Sequence, residues 1–417
     1  MKYAVVTFGC RVNQADTLGF EEDLLLRGAT SVRPEEADLV LVNTCSVTAT
    51  ADQGARQTIR RIARDNPAAR IVVTGCYATR RPDEVGALPN VARVVSNDDK
   101  PRLLSIISSD FGMTTAERFG HGDGSCGAVI EPGMAGRTCF TLRVQTGCGE
   151  QCSYCIIPAT RGRPRSVPVE QILSEVDRIA GAGFREIALT GVHLGSFGRD
   201  LEPATSLLNL LRALTTRRDI LFRISSLEPM DCPRELVDLV AESGAFAPHF
   251  HLPLQHASNR MLAAMQRPYT IEYYSSLVDG IRARIPHASI GSDVIVGFPG
   301  ETDVDFAQLE SYVEESTLTH LHVFPYSDRA GTAAASMNGR PAGAVVRERG
   351  RRIRETSSRL MRRFRQSQVG SIRPALTIDD GSTVVTDNYL KLRIDAGLAR
   401  NAPVRVRIVS DSEGHLV

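Results

Sequence analysis

Short apolar runs alternate with helical stretches along residues 1–98. The runs AVVTF, LVLVN, IVVT and ARVV are rich in β-branched side chains and predict strands, whereas residues 12–27 and 51–65 predict helices. This alternation is typical of a small, mainly parallel sheet with helices on both faces. We therefore predict an α/β fold and a first domain at residues 1–110.

A second series of strands and helices follows the glycine-rich residues 111–137, which predict a linker. Its six apolar runs are FTLRVQTG, EIALTGVH, LFRISSLEP, HFHLPLQH, IGSDVIVGFP and LTHLHVFPY. Helical patterns separate most of these runs, for example at residues 169–182 and 302–315. Six units are too few for a closed eight-stranded barrel, so residues 138–345 predict an open, partial (β/α)6 barrel. We expect its site at the carboxyl ends of the strands.

The last part of the chain changes character twice. Residues 346–369 predict an arginine-rich connecting helix with one packed face. The short runs ALTID, STVVT, YLKLRID and VRVRIV then predict a small all-β domain at residues 370–417. Between residues 340 and 373 there are eleven arginines against two glutamates. Such an excess of positive charge beside a small β domain favours contact with an RNA backbone over a merely solvated helix.

The composition constrains the class of protein but does not indicate a function. The 417 residues carry a formal net charge of +1 and are 42% hydrophobic, which is ordinary for a globular protein. No apolar run approaches the roughly 18–20 residues of a membrane span, and we find no signal-peptide pattern. We therefore expect a cytoplasmic protein, in which the nine cysteines are thiols, metal ligands or catalytic groups rather than disulfides.

Three cysteines stand close together just after the first barrel strand, in the stretch TGCGEQCSYCIIP. Cys148, Cys152 and Cys155 have the spacing C-x3-C-x2-C, so their thiolates can converge on one metal centre. Structural zinc usually takes four ligands in paired C-x2-C units, and here the second pair is missing. Three thiolates fit an iron–sulfur cluster with one open iron better. Packing thiols in a turn are the simpler alternative, and three on one glycine-containing loop argue against it.

Three predicted strands of the first domain each end in a cysteine. Cys10, Cys45 and Cys76 follow the runs YAVVTFG, LVLVNT and RIVVTG, about one strand–helix unit apart. Because parallel strands joined by crossover helices end at the same sheet edge, we expect these thiols to converge there. One such cysteine would be ordinary core packing, whereas three in matching positions favour a ligand set. No function is assigned to the three cysteines without a partner at ligand spacing, Cys126, Cys139 and Cys232.

The C-x3-C-x2-C motif after the first strand of a partial barrel resembles that of radical S-adenosylmethionine (SAM) enzymes. In that family a [4Fe-4S] cluster binds SAM at its open iron and cleaves it to a 5′-deoxyadenosyl radical. The stretches TGVHLGSFG, SSLEP, HLPLQHASN, DVIVGFPGET and HVFPYSDRAGTAA resemble blocks of one subgroup, the methylthiotransferases. This resemblance covers nearly the whole chain and implies a radical SAM core followed by an RNA-binding TRAM domain. It also implies that Cys10, Cys45 and Cys76 hold an auxiliary [4Fe-4S] cluster, which is implicated in supplying the sulfur.

The segment FGCRVNQAD resembles the branch that modifies threonylcarbamoyladenosine in tRNA, and TGVHLGSFG and HVFPYS point to the same branch. The implied reaction replaces the hydrogen on carbon 2 of that adenosine, beside the anticodon at position 37, with a methylthio group. Methylthiolation of isopentenyladenosine, or of an aspartate in a ribosomal protein, is the alternative within the same chemistry. A zinc-stabilised RNA-binding protein without catalysis is the alternative from another class. Two stretches depart from the family pattern, QHASN and IIPATRG.

The strand ends of the barrel supply candidate contacts for SAM. Thr190, Gly191 and His193 end the second barrel strand, where a glycine lets the backbone approach a ligand closely. Glu228 and Asp293 are candidates for binding the ribose or the amino group, with a cap or a salt bridge as the simpler alternative. We interpret the histidines around this end of the barrel as satisfied, half-buried side chains.

The predicted RNA contacts lie in the arginine-rich helix and the β domain. Arg362, Arg363 and Arg365 are expected to contact the RNA backbone. Tyr389 is expected to stack on a base, and Lys391 to contact a phosphate. The resemblance implies the anticodon stem-loop of a tRNA as partner, with an electron donor such as flavodoxin or ferredoxin. We expect a monomer.

Overall fold

The computed structural model describes residues 1–111, 131–132, 138–395 and 397–417. Most of the predicted linker, including Cys126, lies outside these ranges. Within them, no helix is both long enough and apolar enough to span a membrane.

The N-terminal unit is a parallel five-stranded sheet with helices on both faces, and it confirms the predicted α/β fold. Its elements are β1 (Lys2–Thr7), α1 (Arg11–Leu26), β2 (Thr30–Ser31), β3 (Leu39–Thr44), α2 (Ala49–Asp65), β4 (Arg70–Gly75), α3 (Cys76–Arg80), α4 (Pro82–Gly86), β5 (Val91–Val94) and α5 (Leu103–Phe111). The strand order is β2-β1-β3-β4-β5, and every pairing is parallel. All six residues of β3 are buried, because alternate side chains join the cores on opposite faces of the sheet.

The central unit is the predicted partial barrel. Its elements are β6 (Phe140–Arg143), β7 (Gln145–Thr146), α6 (Ile157–Arg161), β8 (Arg165–Ser166), α7 (Val169–Gly181), β9 (Glu186–Thr190), α8 (Leu207–Leu214), β10 (Leu221–Ile224), α9 (Arg234–Glu242), β11 (His249–His251), α10 (Asn259–Ala264), α11 (Ile271–Arg284), β12 (Ser289–Val296), α12 (Asp303–Glu315) and β13 (His320–Pro325). Two parallel three-stranded sheets, β6-β9-β10 and β11-β12-β13, are joined by a bridge between Phe222 and Phe246. The six strands therefore form an open parallel wall with one core beneath its helices.

A long helix and an antiparallel sheet complete the chain. They comprise α13 (Gly343–Gln368), β14 (Ile372–Ile378), β15 (Thr383–Thr386), β16 (Lys391–Arg393), β17 (Pro403–Ile408) and β18 (Gly414–Leu416), with strand order β16-β15-β14-β17-β18. Helix α13 packs along the barrel, because Ile353 and Leu360 join the barrel core. One turn later, Phe364 joins the core of the C-terminal sheet, so the same helix fixes both units.

One buried carboxylate ties the N-terminal unit to the barrel. Asp16 on α1 accepts hydrogen bonds from Lys100 Nζ at 2.9 Å and from Arg143 Nη1 at 2.6 Å. The guanidinium of Arg161, on α6, lies 3.8 Å from the same carboxylate. Burial acts against ionisation, but Lys100, Arg143 and Arg161 together lower the pKa of Asp16 to about 2. The first barrel strand and the helix after the central cysteines are therefore both anchored to α1.

We predict that Asp16→Asn destabilises the protein by about 3–5 kcal/mol, because it leaves buried cations without their counter-ion. Because the pKa of Asp16 falls from its ordinary value of 3.8 to about 2, this stabilisation is complete above pH 3.8 and is lost as the pH falls through about 2. Urea unfolding at neutral pH measures the change. Glu36→Gln removes a comparable ion pair with Arg33 at the surface and should have little effect. Equal stability of the two variants would contradict the prediction.

Candidate active site

The first cysteine trio, which we call the N-terminal trio, is Cys10, Cys45 and Cys76. Its members follow β1, β3 and β4, which are adjacent in the sheet and end at the same edge. At Gly9, which has a φ of 89°, a Cβ atom would lie 2.6 Å from Cys45 Sγ, so only glycine lets these loops meet so closely. Burial raises the pKa of Cys45 to about 11, and the neighbouring thiols Cys10 and Cys76 add to the rise. The three thiols therefore share one small volume.

Cations surround the N-terminal trio. Burial alone would raise the pKa of Cys76, but Arg161 and Lys100 lower it below its ordinary value. The amide of Asn97 bridges the units, because its Nδ2 lies 3.6 Å from Cys76 Sγ and donates to the carbonyl of Thr160 at 2.8 Å. This environment suits a group held by thiolates, since the cations balance its negative charge.

The second trio, called the central trio, is Cys148, Cys152 and Cys155, on the loop between β7 and α6. Burial raises the pKa of Cys155 to about 12, and the thiols of Cys152 and Cys148 contribute to the rise. A backbone hydrogen bond of 3.1 Å from Cys155 N–H to the carbonyl of Cys152 tightens the loop. Helix α6 starts two residues after Cys155 and contacts α3, which begins at Cys76. The two trios thus lie on elements that pack against each other.

Three imidazoles form a separate group of possible ligands. Among the described residues, the ring nitrogens of His251, His320 and His322 include ligand atoms that lie within 4.8 Å of one another.

His193 lies beside the central trio. Its Nε2 is 2.8 Å from Asp231 Oδ2, and it also hydrogen-bonds with Cys148. Burial opposes protonation, yet the hydrogen bonds with Asp231 and Cys148 raise the pKa of His193 to about 10. The side-chain oxygen of Gln145 accepts the backbone N–H groups of Val192 and His193 at 3.0 and 2.9 Å. Gln145 therefore holds the turn after β9, a role that the sequence did not indicate.

Thr190 and Gly191 belong to the same turn. Thr190 is buried at the end of β9, and its carbonyl accepts the N–H of Val144 at 2.9 Å. A Cβ atom at Gly191 would lie 2.9 Å from Oε1 of Gln145, so the turn has no room for a larger residue. Both residues shape the wall beside the central trio.

Glu228 reaches the central trio through an arginine that sequence reasoning missed. Arg267, between α10 and α11, pairs with Glu228 and donates from Nη1 to Cys152 Sγ at 2.9 Å. Burial raises the pKa of Glu228 above its ordinary value although Arg267 acts in the opposite direction. No local pattern marks Arg267, because its partners lie 39 and 115 residues away.

Asp293 faces the barrel interior, away from this arrangement. Its Oδ1 lies 3.0 Å from Nε2 of His251, and the imidazole of His322 is opposite it on β13. His251 is thus partnered as expected, but the prediction of half-buried, satisfied histidines is wrong for two others. His249 and His256 are buried, and each has one ring nitrogen without a hydrogen-bond partner, although Nδ1 of His256 accepts the N–H of Ser258 at 3.0 Å. The structure thus groups His193 and Glu228 with the central trio and leaves Asp293 among the interior histidines.

The arrangement defines a radical SAM enzyme: a partial parallel barrel with three cysteines after its first strand. A model of the radical SAM superfamily matches residues 142–313, and one described as "Uncharacterized protein family UPF0004" matches residues 2–96. A solved structure of the radical SAM methyltransferase TsrM from Kitasatospora setae, with cobalamin and a [4Fe-4S] cluster bound, has a TM-score of 0.57. The match covers 80% of this chain and 77% of that one at 17% identity, which shows the fold.

Curated relatives extend over nearly the whole chain. The threonylcarbamoyladenosine tRNA methylthiotransferase MtaB of Aquifex aeolicus is 36% identical over 98% of this chain and 100% of its own length. A tRNA-2-methylthio-N(6)-dimethylallyladenosine synthase of Pelotomaculum thermopropionicum is 32% identical over 90% of this chain and 86% of its own. The chain belongs to the radical SAM methylthiotransferase family, in the branch of the MtaB-type tRNA methylthiotransferases.

Gly195 packs closely against Asp231, the carboxylate that pairs with His193. A Cβ atom at Gly195 would lie 2.2 Å from Asp231, so Gly195→Ala must displace the carboxylate that holds His193. We expect a loss of about 1–3 kcal/mol of stability, measured by thermal unfolding. Gly181→Ala, at the end of α7, meets nothing within 4 Å and is the matched control. If both variants unfold at the same temperature as the unchanged protein, the close contact between Gly195 and Asp231 is wrong.

Proposed function

We propose that the enzyme adds a methylthio group to carbon 2 of threonylcarbamoyladenosine, next to the anticodon of tRNA, using SAM and two [4Fe-4S] clusters. The observation that carries this proposal is the pair of cysteine trios on packed elements of two units. The 36% identity to an MtaB enzyme over nearly the full length supports the same substrate. The segment FGCRVNQ, at the junction of β1 and α1, resembles the branch that modifies threonylcarbamoyladenosine and agrees with this substrate.

The residues around each trio suit such a cluster. Cys148, Cys152 and Cys155 would hold the radical SAM cluster, which leaves one iron open for SAM and supplies the electron that cleaves it. Arg267 would stabilise the thiolate of Cys152, and His193 that of Cys148. Cys10, Cys45 and Cys76 would hold the auxiliary cluster, with Arg161 and Lys100 balancing its charge.

Thr190, Gly191, His193 and Glu228 are the proposed SAM contacts near the central trio. Glu228 is linked to the loop of the central trio through Arg267, so its other carboxylate oxygen is a candidate acceptor for the amino or ribose groups. Asp293 is further inside the barrel and would contact SAM or the substrate there.

The alternative substrates differ in chemistry. Isopentenyladenosine carries an apolar substituent, and the 32% identity to a dimethylallyladenosine synthase makes it the nearest rival. Methylthiolation of a ribosomal-protein aspartate has no support among the relatives described above. The zinc-stabilised binding protein is disfavoured by the membership in an enzyme family.

The proposed RNA surface is smaller than the arginine count suggested. Arg349, Arg351, Arg352 and Arg359 of α13 each pair with carboxylates, several of them on α12. Of the predicted contacts, Arg362 is exposed, with no ion pair among the described residues. The other two arginines of that set, Arg363 and Arg365, donate to backbone carbonyls.

The C-terminal sheet supplies the other two predicted RNA contacts. Lys391 pairs with Asp379 at 2.9 Å, so RNA would have to displace this exposed carboxylate. Tyr389 is 44% exposed, and its ring packs over Arg223 at the barrel. We propose that the anticodon stem-loop contacts this unit and Arg362, that flavodoxin or ferredoxin supplies electrons, and that a monomer acts in the cytoplasm.

The two-cluster proposal predicts about eight irons per chain after anaerobic reconstitution. Cys10→Ala and Cys148→Ala should each retain about half of the iron, because each removes a ligand from a different trio. Cys232→Ala is the control, since this buried thiol lies in the barrel core. Iron analysis and electron paramagnetic resonance give the readout. One zinc per chain, or parallel loss of all iron in both variants, would contradict two independent sites.

Substrate identity needs a separate experiment. Nucleosides from the tRNA of a strain lacking the gene should show no 2-methylthio-threonylcarbamoyladenosine, and the purified enzyme should form it on a stem-loop carrying threonylcarbamoyladenosine. Mass spectrometry measures both. If that nucleoside persists while 2-methylthio-isopentenyladenosine disappears, the branch assignment is wrong.

A further inference from the structure

A cavity of about 410 Å³ opens where the three units meet. Its wall comes from α1, from the barrel interior and from the C-terminal sheet. Arg11, the first residue of α1 and the neighbour of Cys10, extends into this cavity. It donates to Ser225 Oγ at 3.4 Å and to the hydroxyl of Tyr389 at 3.3 Å. Its guanidinium therefore lies between Ser225, just after β10, and the C-terminal unit, while its backbone adjoins Cys10.

Arg11 is a charged residue of the cavity wall that has no counter-ion among the described residues. Arg223, also in the wall, pairs with Glu186 at 2.9 Å, and Asp379 pairs with Lys391 at 2.9 Å. Among the described residues, no carboxylate lies within 4.0 Å of Arg11, and the two groups that accept its hydrogen bonds are neutral hydroxyls. A guanidinium has five N–H donors arranged to bind a carboxylate with two hydrogen bonds, so Arg11 retains capacity for an anion.

The histidines near Arg11 do not offer a second positive charge for an anion. Burial lowers the pKa of His249, with Arg223 adding to the effect, and burial also lowers that of His322. Both imidazoles are therefore neutral near pH 7 and do not compete with Arg11. Helix stability does not explain this arginine either, because a cation at the first position of a helix opposes the helix dipole.

We propose that Arg11 binds the carboxylate of the threonylcarbamoyl group and thereby selects the substrate. This inference rests on the proposed function. Threonylcarbamoyladenosine carries a carboxylate on the substituent at N6, whereas the dimethylallyl group of the alternative substrate is a hydrocarbon. Because Arg11 adjoins Cys10, a carboxylate held there keeps the adenine ring of the same nucleotide near the N-terminal trio. An RNA phosphate is the other anion that this guanidinium would accept.

The experiment combines a protein variant with a substrate variant. Stem-loops carry either threonylcarbamoyladenosine or its uncharged carboxamide, and the reconstituted enzyme and Arg11→Gln are assayed on both. We expect the unchanged enzyme to lose about 10- to 100-fold in kcat/KM on the carboxamide, mostly through KM. Arg11→Gln should show a similar loss on the carboxylate and little further loss on the carboxamide, because the two changes remove the same interaction.

Two further variants sharpen the result. Arg11→Lys keeps the charge and should recover part of the discrimination, whereas Arg33→Gln removes an exposed arginine of the same unit and should leave kcat/KM unchanged. Iron content is measured for every variant, so a loss of cluster is distinguished from a loss of recognition.

The outcomes separate the two proposals. If Arg11→Gln discriminates between the two stem-loops as the unchanged enzyme does, Arg11 does not bind the carboxylate. If it weakens both equally, Arg11 contacts a phosphate, which overturns the inference while leaving the proposed function intact. If the unchanged enzyme does not modify the threonylcarbamoyl stem-loop at all, both proposals are wrong.

Discussion

The arrangement of this enzyme depends on one buried carboxylate. Asp16 is the shared counter-ion of Lys100, Arg143 and Arg161, which come from the N-terminal unit, the first barrel strand and the helix after the central trio. Without it, the three cations would repel one another across the contact between the N-terminal unit and the barrel. Parallel sheets place ligand sites at the carboxyl ends of their strands, and this ion cluster ties α1, which follows Cys10, to α6, which follows the central trio.

A buried arginine lies beside each cysteine trio. Arg161 neutralises Asp16 on one side and lies against Cys76 on the other. In the barrel, Arg267 has the corresponding position between the carboxylate of Glu228 and the thiol of Cys152. Each trio is thus bordered by a buried arginine that a carboxylate holds in place. Thiolates in a low-dielectric interior need such partners, because burial alone favours the neutral thiol.

The sequence allowed most of the fold and the two cysteine trios to be predicted, because both follow from local pattern. The β-branched runs mark the strands, and parallel strands bring Cys10, Cys45 and Cys76 to one edge whatever the details of packing. The arginines could not be found in this way. Arg267 and Arg161 contact partners more than a hundred residues away, at Cys152 and Asn13, and nothing in their neighbouring residues sets them apart from the other arginines. In helix α13 the local sequence suggests more free positive charge than the structure has. Acidic residues on α12, which are distant in the sequence, neutralise part of its arginine excess.

The C-terminal unit forms part of the cavity wall and packs against the barrel. Arg223 on β10 donates to the backbone carbonyls of Thr386 and Asp387 at 3.0 and 2.8 Å, which fixes the loop after β15 against the barrel. Tyr389 of that loop has a φ of 72°, which is costly for a tyrosine, and its ring packs on Arg223 and on the imidazole of His249. The contacts with Arg223 and His249 hold Tyr389 in this conformation. The loop after β15 thus closes one side of the cavity and holds the C-terminal sheet against β10, so the shape of the cavity depends on how these two units pack.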